Sequence, residues 1–179
     1  MRWRLVCAML SLSAPAGAQA RLDVSGLLDA LAEAQDAAAA AGLEARILRG
    51  WEQEGGPIVA MLLQRSSSEI AHDDADEALA DIDAAQVLAP DALEILHHRA
   101  LARYHKGDVA GAYHDLEDVL RHEPRHFAAW RSLSEIAEAQ GNLKAAYAAW
   151  QKLIALDPKT RGGSEHLDEL RRRVEGEKS

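Results

Sequence analysis

Large and small residues recur along the middle of the chain with a period of 34 residues. The clearest registers are Leu62, Leu96 and Trp130 (large), Ser66, Ala100 and Ser134 (small), and Ala78, Ala112 and Ala146 (small). Pro90, Pro124 and Pro158 keep the same step. A fixed period of this length is typical of proteins built from stacked structural repeats. We therefore expect several copies of one small unit, each packed on the next.

Each 34-residue unit predicts two helices joined by a tight turn. In the clearest unit we expect the first helix over residues 92–106, a turn at Gly107 and a second helix over residues 109–122. Proline lacks an N–H group and breaks a helix interior, so the second helix should end before Pro124. Nothing alternates over the length of a strand, and only 4% of the residues are aromatic. The sequence predicts an all-α solenoid.

The spacing within the units resembles the tetratricopeptide repeat (TPR) family. That family places a bulky residue, a small residue, a glycine, an alanine and a closing proline where this chain has Trp130, Ser134, Gly141, Ala146 and Pro158. The unit 91–124 keeps the pattern throughout, whereas the unit 57–90 has Asp73 in place of the glycine. Arg65 and Arg99 stand at a position that is usually apolar in the family. The resemblance covers roughly residues 57–158.

This register divides the chain into six segments. They are a signal peptide (1–20), a degenerate N-terminal helix pair that is a cap or a drifted repeat (21–56), three repeats (57–90, 91–124 and 125–158), and a C-terminal capping helix with a tail (159–179). Terminal units of a stacked array are expected to be atypical because one of their faces meets water.

The first twenty residues have the three parts of a secretory signal peptide. Two arginines form a positive n-region, residues 5–14 form a short apolar h-region, and residues 18–20 form a small-x-small cleavage site. We predict cleavage after Ala20 and a periplasmic or secreted protein, with an uncleaved N-terminal anchor as the alternative. The apolar run is short for a membrane span, so no stable membrane insertion of the mature chain is expected. The single cysteine, Cys7, excludes a disulfide framework.

Charge and motifs narrow the functional class. A net charge of −9 argues against nucleic acid or an anionic membrane surface as a partner of the whole chain. The sequence has no G-x-S-x-G, Walker loop, G-x-G-x-x-G or H-E-x-x-H motif. We therefore predict that the protein is not an enzyme and uses no cofactor.

Histidine is enriched in the middle of the chain. Six of the eight histidines lie between His97 and His126. His97 and His105 are about two helical turns apart, too far for one ion, and Pro124 interrupts the segment between His122 and His126. We predict no metal site, and metal binding by the histidine-rich middle repeat stays an alternative.

The family resemblance implies a concave binding groove lined by the first helix of each repeat. The positions that face this groove in the family are Leu63, Ile70, Glu94, His97, Leu101, Tyr104, His105, Arg131, Glu135 and Glu138 in this chain. Tyr104, His105 and Arg131 are the strongest contact candidates, because aromatic residues and arginine are enriched at binding hot spots. The groove lacks the dense Lys/Arg/Asn set that resembles a carboxylate clamp, so a peptide with apolar anchors is expected.

Together these observations favour an exported, non-catalytic binding module or assembly scaffold with a peptide or protein partner. The chain resembles small exported repeat proteins of Gram-negative bacteria. An envelope-assembly or cell-wall accessory factor is one alternative, and a metal-binding protein is another. Self-association through the alanine-rich N-terminal helices is a further alternative.

Overall fold

The computed structural model describes residues 24–176, and this part of the chain is built from helices and their connections. The predicted signal peptide, residues 1–20, lies outside the described residues. The helices are α1 (Val24–Ala32), α2 (Ala37–Gln53), α3 (Pro57–Ala71), α4 (Ala75–Leu88), α5 (Leu93–His105), α6 (Val109–His122), α7 (Phe127–Ala139), α8 (Leu143–Leu156) and α9 (Gly163–Gly176). None of these helices is long and apolar enough to cross a membrane. The predicted all-α solenoid is confirmed.

Helices α3 to α8 form three successive pairs, α3/α4, α5/α6 and α7/α8, that follow the 34-residue register. The two helices of each pair make the closest contacts, and each pair also packs on the next. Helix α6 begins and ends at the predicted residues, and α5 is one residue shorter at each end than predicted. The periodic pattern thus places most of the helix boundaries in these units.

The turn inside each pair uses the same backbone conformation three times. The residues with positive φ are Asp73 (64°), Gly107 (87°) and Gly141 (72°). Glycine adopts this conformation without a steric penalty, and aspartate is among the few other residues that tolerate it. The next residues, Asp74, Asp108 and Asn142, accept a hydrogen bond from the backbone N–H three positions on and so cap the following helix.

Small residues lie where the two helices of a pair cross. Those that are completely buried are Ser66, Ala78, Ala100, Ala112, Ser134 and Ala146. The Oγ atom of Ser134 donates a hydrogen bond to the carbonyl oxygen of Ala146 over 2.8 Å, which shows how closely α7 approaches α8. Large side chains such as Leu116 and Ile82 are completely buried beside these contacts. The alternation of large and small positions therefore gives an interlocked core.

The N-terminal helices do not pack on the first repeat alone. Helix α1 contacts α8, and α2 contacts both α3 and α5. Leu28 and Leu31 belong to the same hydrophobic cluster as Trp150 and Leu170 at the other end of the chain. The α1/α2 pair thus reaches across the solenoid to the last repeat. Helix α9 closes that end, where the indole N–H of Trp150 donates to the carbonyl oxygen of Gly163 over 2.8 Å.

Ion pairs occupy the position at which the first two repeats depart from the family pattern. Arg65 of α3 pairs with Asp81 of α4, and the Nη2 atom of Arg99 in α5 lies 2.7 Å from Asp115 in α6. Both aspartates are buried. The third repeat has Leu133 and Ala149 at these two positions, 34 residues further on. The charged pair and the apolar pair therefore fill the same space in different repeats.

This substitution pattern predicts strong coupling between Arg65 and Asp81. The Arg65→Leu variant should lose about 2 kcal/mol of unfolding free energy, because it leaves a buried carboxylate without its partner. Adding Asp81→Ala recreates the Leu133 and Ala149 combination of the third repeat and should restore most of that loss. Urea unfolding followed by circular dichroism measures both values. A double variant as unstable as Arg65→Leu would contradict the proposed equivalence.

Candidate functional site

Helix α2 lies on the face of α5 and α7 that the sequence predicts as the binding groove. The ring of Trp51 stacks on the ring of His126 with centroids 4.0 Å apart and an interplanar angle of 9°. Trp51 also contacts the Phe127 ring, with centroids 5.7 Å apart. The buried residues of α2 are Ala40, Ile47, Gly50 and Trp51, which form one stripe along the helix. The middle of the groove is therefore filled by a helix of the chain itself.

A polar contact holds the other end of α2. The Oε1 atom of Glu44 accepts hydrogen bonds from Nη2 of Arg131, over 3.3 Å, and from Oγ1 of Thr160, over 3.2 Å. Arg131 also donates to Thr160 over 2.9 Å, so the three side chains form a closed set. In addition, Asp29 of α1 accepts a hydrogen bond from Arg125 over 2.8 Å. The N-terminal pair is thus fixed to the third repeat by charged as well as aromatic contacts.

Four of the predicted groove residues contact helices that cover the groove. Glu94 and His97 are buried next to α2, and Arg131 bonds directly to it. Glu138 forms ion pairs with a histidine and an arginine of α9. These side chains are therefore engaged within the chain.

The other six predicted groove residues lie in different environments. One is completely buried (Leu63), three are half-buried (Ile70, Leu101 and Tyr104) and two are exposed (His105 and Glu135). Leu63 belongs to the hydrophobic core of the first repeat. The rings of Tyr104 and His105 contact each other edge to face, with centroids 6.0 Å apart. The ten predicted residues do not form one continuous open surface.

A buried polar network lies beneath Trp51. The carboxylate of Glu94 accepts hydrogen bonds from Nδ1 of His97 and from Nε2 of His126, each over 3.0 Å. The Nε2 atom of His97 lies 3.1 Å from the Oγ atom of Ser132, and Nε2 of His98 lies 3.6 Å from Glu94. All five residues are buried, and Glu94 is only 3% exposed. The network connects the second repeat to the third and supports the ring on which Trp51 stacks.

The protonation of this network follows from burial and from its hydrogen bonds. Burial would raise the pKa of Glu94, but His97 and His126 beside it hold that pKa well below its usual range. Burial lowers the pKa of His98 to about 4, and it also lowers the pKa of His126 in spite of the neighbouring carboxylate. Glu94 is therefore ionised at neutral pH, whereas His98 and His126 are uncharged.

Glu94, His97 and His126 are also the described residues that could hold a metal ion, because three of their ligand atoms lie within 4.8 Å of one another. However, the Nδ1 atom of His126 accepts a hydrogen bond from the backbone N–H of Ala129 over 3.1 Å. A neutral imidazole has one acceptor nitrogen, so Nε2 carries the proton that is donated to Glu94. A cation on Nε2 would require His126 to give up this helix-capping contact. The arrangement fits a network bridged by protons better than a metal centre.

Ser132, His97 and Glu94 have the order of a nucleophile, a base and an acid. Their distances are those of hydrogen bonds, but all three side chains are buried, and the Oγ atom of Ser132 also donates to the carbonyl oxygen of Ala128 over 3.1 Å. A substrate would have no access to this serine while α2 is in place. The arrangement therefore stabilises the interior and does not provide an active site.

Sequence reasoning missed this cluster because it compared histidines within a single helix or turn. Glu94 and His126 are 32 residues apart, close to one repeat, and so they lie on neighbouring first helices. Comparing polar residues one repeat apart would have brought the two together. Trp51 carried no periodic signal, since it lies outside the three repeats.

A second buried acid lies at the far end of α2. Asp157 is completely buried, and neither of its carboxyl oxygens has a hydrogen-bond partner among the described residues. Burial and the adjacent Glu44 carboxyl raise the pKa of Asp157 to about 7. Burial acts on Glu44 as well, but Asp157, Arg131 and Thr160 outweigh it and lower the pKa of Glu44. Two acids thus share the site at which α2 meets the last repeat.

The part of the concave face over α3 is open. A cleft of about 1380 Å³ lies between the C-terminal half of α2, helix α3 and the connection from α4 to α5. Its walls include Arg49, Gln53, Ala60, Met61, Gln64 and Ser67. Met61 is 58% exposed, although it is a large apolar residue. Ala60 and Ser67 occupy groove-facing positions of the family pattern, so the cleft is the accessible section of the expected groove.

Comparisons with known proteins confirm the resemblance to tetratricopeptide repeats. A curated TPR repeat-containing protein from Rhizobium etli is 27% identical over 153 residues, which cover 86% of this chain and 75% of that protein. The crystal structure of the Sgt2 TPR domain from Aspergillus fumigatus matches with a TM-score of 0.57 and 22% identity, over 65% of this chain and 78% of that one. No protein-family model matches the chain. The structural likeness establishes the fold.

Asp157 predicts a specific dependence of stability on pH. Its pKa is raised from 3.8 to about 7, so its contribution to stability falls as the pH rises through this window. The Asp157→Asn variant lacks the buried negative charge. Its gain over wild type should therefore be larger at pH 8 than at pH 5, by at least about 1 kcal/mol, which is somewhat less than one pKa unit. Urea unfolding at the two pH values measures this difference, with the exposed Asp168→Asn as the control. Equal gains at both pH values would contradict the prediction.

Proposed function

We propose that this tetratricopeptide-repeat solenoid is an exported, non-catalytic module that binds a protein or peptide partner in the cleft between α2 and α3. The protein-binding role is the coarse function that the fold supports. The cleft is the finer assignment, and it rests on one observation. Over α5 and α7 the concave face is covered by α2, whereas over α3 it is open and presents an exposed methionine.

The chemistry of the cleft suggests the kind of segment that would bind. Met61 and Ala60 offer an apolar surface on one wall, and Gln53 and Gln64 offer amide groups that can donate and accept hydrogen bonds. Arg49 adds a positive charge on the α2 side. An extended segment with one apolar anchor and polar flanks would meet both kinds of wall. This agrees with the apolar-anchored peptide expected from the sequence.

The signal-peptide pattern at residues 1–20 supports the exported part of the proposal. Cleavage after Ala20 would leave only three residues before α1. The partner would then be a protein of the cell envelope or the medium. An envelope-assembly or cell-wall accessory role is a narrower form of the same proposal, and the identity of the captured partner decides it.

The cleft predicts position-dependent crosslinking in intact cells. A photoreactive amino acid in place of Met61 should capture a discrete partner, because this side chain lines the cleft. The matched control carries the same group in place of Val87, which is 83% exposed and does not line it. The Met61→Glu exchange should weaken binding of the captured partner about tenfold or more, the loss typical of a hot-spot residue. Capture from both positions alike, or from Val87 alone, would refute the cleft as the binding surface.

Export predicts a defined N-terminus for the mature chain. When the full chain is expressed in a Gram-negative bacterium, the periplasmic extract should contain a form that begins at Arg21, as seen by intact mass and N-terminal sequencing. The Ala18→Lys/Ala20→Lys variant places large residues in the cleavage site and should accumulate as the precursor. A full-length wild-type chain that stays in the cytoplasm would overturn the exported role and leave the cleft proposal intact.

A further inference from the structure

The groove over α5 and α7 holds α2 by contacts that another helix could also make. The aromatic contact is the stack of Trp51 on His126, supported by Phe127. His126 cannot turn freely, since its two ring nitrogens are both hydrogen-bonded, one to Ala129 and one to Glu94. The groove therefore presents a fixed flat ring that suits an indole side chain.

A second contact point lies two helical turns away. Glu44 precedes Trp51 by seven residues, so both side chains project from the same face of α2. Arg131 and Thr160 donate hydrogen bonds to the Glu44 carboxylate. The groove thus recognises a spacing as well as two side-chain types: an acid, six intervening residues and a tryptophan on one helix.

The resident helix is held with an evident cost. Docking of Glu44 brings it against the buried and unbonded carboxyl of Asp157. The α1/α2 pair is joined to the repeats by a short connection, Glu54 to Gly56, in which Gly56 has a φ of 88°. Most of the α2 surface is exposed, and its buried stripe consists of four residues. The pair can therefore leave the groove without taking apart the three repeats.

We propose that the α5/α7 groove is a second binding site, whose ligand is an amphipathic helix of a partner protein with an acidic residue and a tryptophan two turns apart, and that α2 occupies it as an intramolecular competitor. This inference concerns a different surface from the cleft over α3 and goes beyond the function proposed above. Because α2 also forms one wall of that cleft, a helix that displaces α2 would remove the cleft at the same time. The two sites would then bind their ligands with negative coupling.

A synthetic peptide of residues 36–54, labelled with fluorescein, is the direct probe of the groove. It contains the Asp36 cap, Glu44 and Trp51. Fluorescence anisotropy would measure its binding to the full chain and to full-length variants that circular dichroism shows to be folded. Wild type should bind weakly, because its own α2 competes. The Trp51→Ala chain should bind the peptide about tenfold or more tightly, since the competitor has lost its anchor.

A charge exchange makes the test specific for the Arg131 contact. The Arg131→Glu chain should prefer the peptide with Glu44→Arg over the unchanged peptide by about tenfold or more, and the Trp51→Ala chain should show the opposite preference. A peptide with Trp51→Ala should bind to neither chain. As a matched control, a peptide with Arg46→Glu changes an exposed residue of α2 and should bind like the unchanged peptide.

Three results would overturn the proposal. The first is the absence of peptide binding to the folded Trp51→Ala chain at high micromolar concentration. The second is equal binding of all peptides, which would mean that neither the acid nor the tryptophan is recognised. The third is a concentration-dependent dimer of wild type, seen by light scattering and dissociated by the peptide, which would assign the groove to α2 of a second copy. Failure of the Met61 crosslinking experiment would leave this inference unaffected.

Discussion

The buried carboxylate of Glu94 is the interaction on which the centre of this molecule depends. It lies in α5 and receives hydrogen bonds from His97 of its own helix and from His126 at the start of α7. An ionised carboxylate can remain in a protein interior only if donors replace its lost water. Here those donors also set the orientation of the His126 ring, and that ring is the surface on which Trp51 stacks. One buried charge thus connects two repeats and the helix that covers them.

The same balance between burial and partners explains the other polar groups of the interior. Asp81 and Asp115 are neutralised by arginines of the preceding helix, and Ser134 bonds to a backbone carbonyl across the helix pair. With few aromatic residues, the chain uses small residues and polar pairs to bring its helices together. Asp157 is the exception, because it is buried without a hydrogen-bond partner among the described residues and keeps a proton up to near-neutral pH. The exception lies where the N-terminal pair meets the last repeat.

The fold was predictable from the sequence because a repeat writes its contacts into a period. Gly107 and Gly141 fixed the turns, the prolines fixed the ends of α4, α6 and α8, and the alternation of large and small residues fixed the packed faces. The occupation of the groove was not predictable in this way. Trp51 touches His126 and Phe127 from outside the repeats, and a single contact between distant segments leaves no periodic trace. The inward positions were named correctly only as positions on a helix, without the helix that covers them.

The reach of α1 and α2 across the array has a consequence for the order of folding. In an open solenoid every unit contacts only its neighbours, so folding can start anywhere and spread along the chain. Here Asp29 bonds to Arg125 and Glu44 bonds to Thr160, over sequence separations of 96 and 116 residues. Contacts of such high order form late, because a long loop has to close first. During synthesis the N-terminal pair emerges first, but its binding site is complete only after the third repeat has folded. The first helices made are therefore the last to reach their native positions.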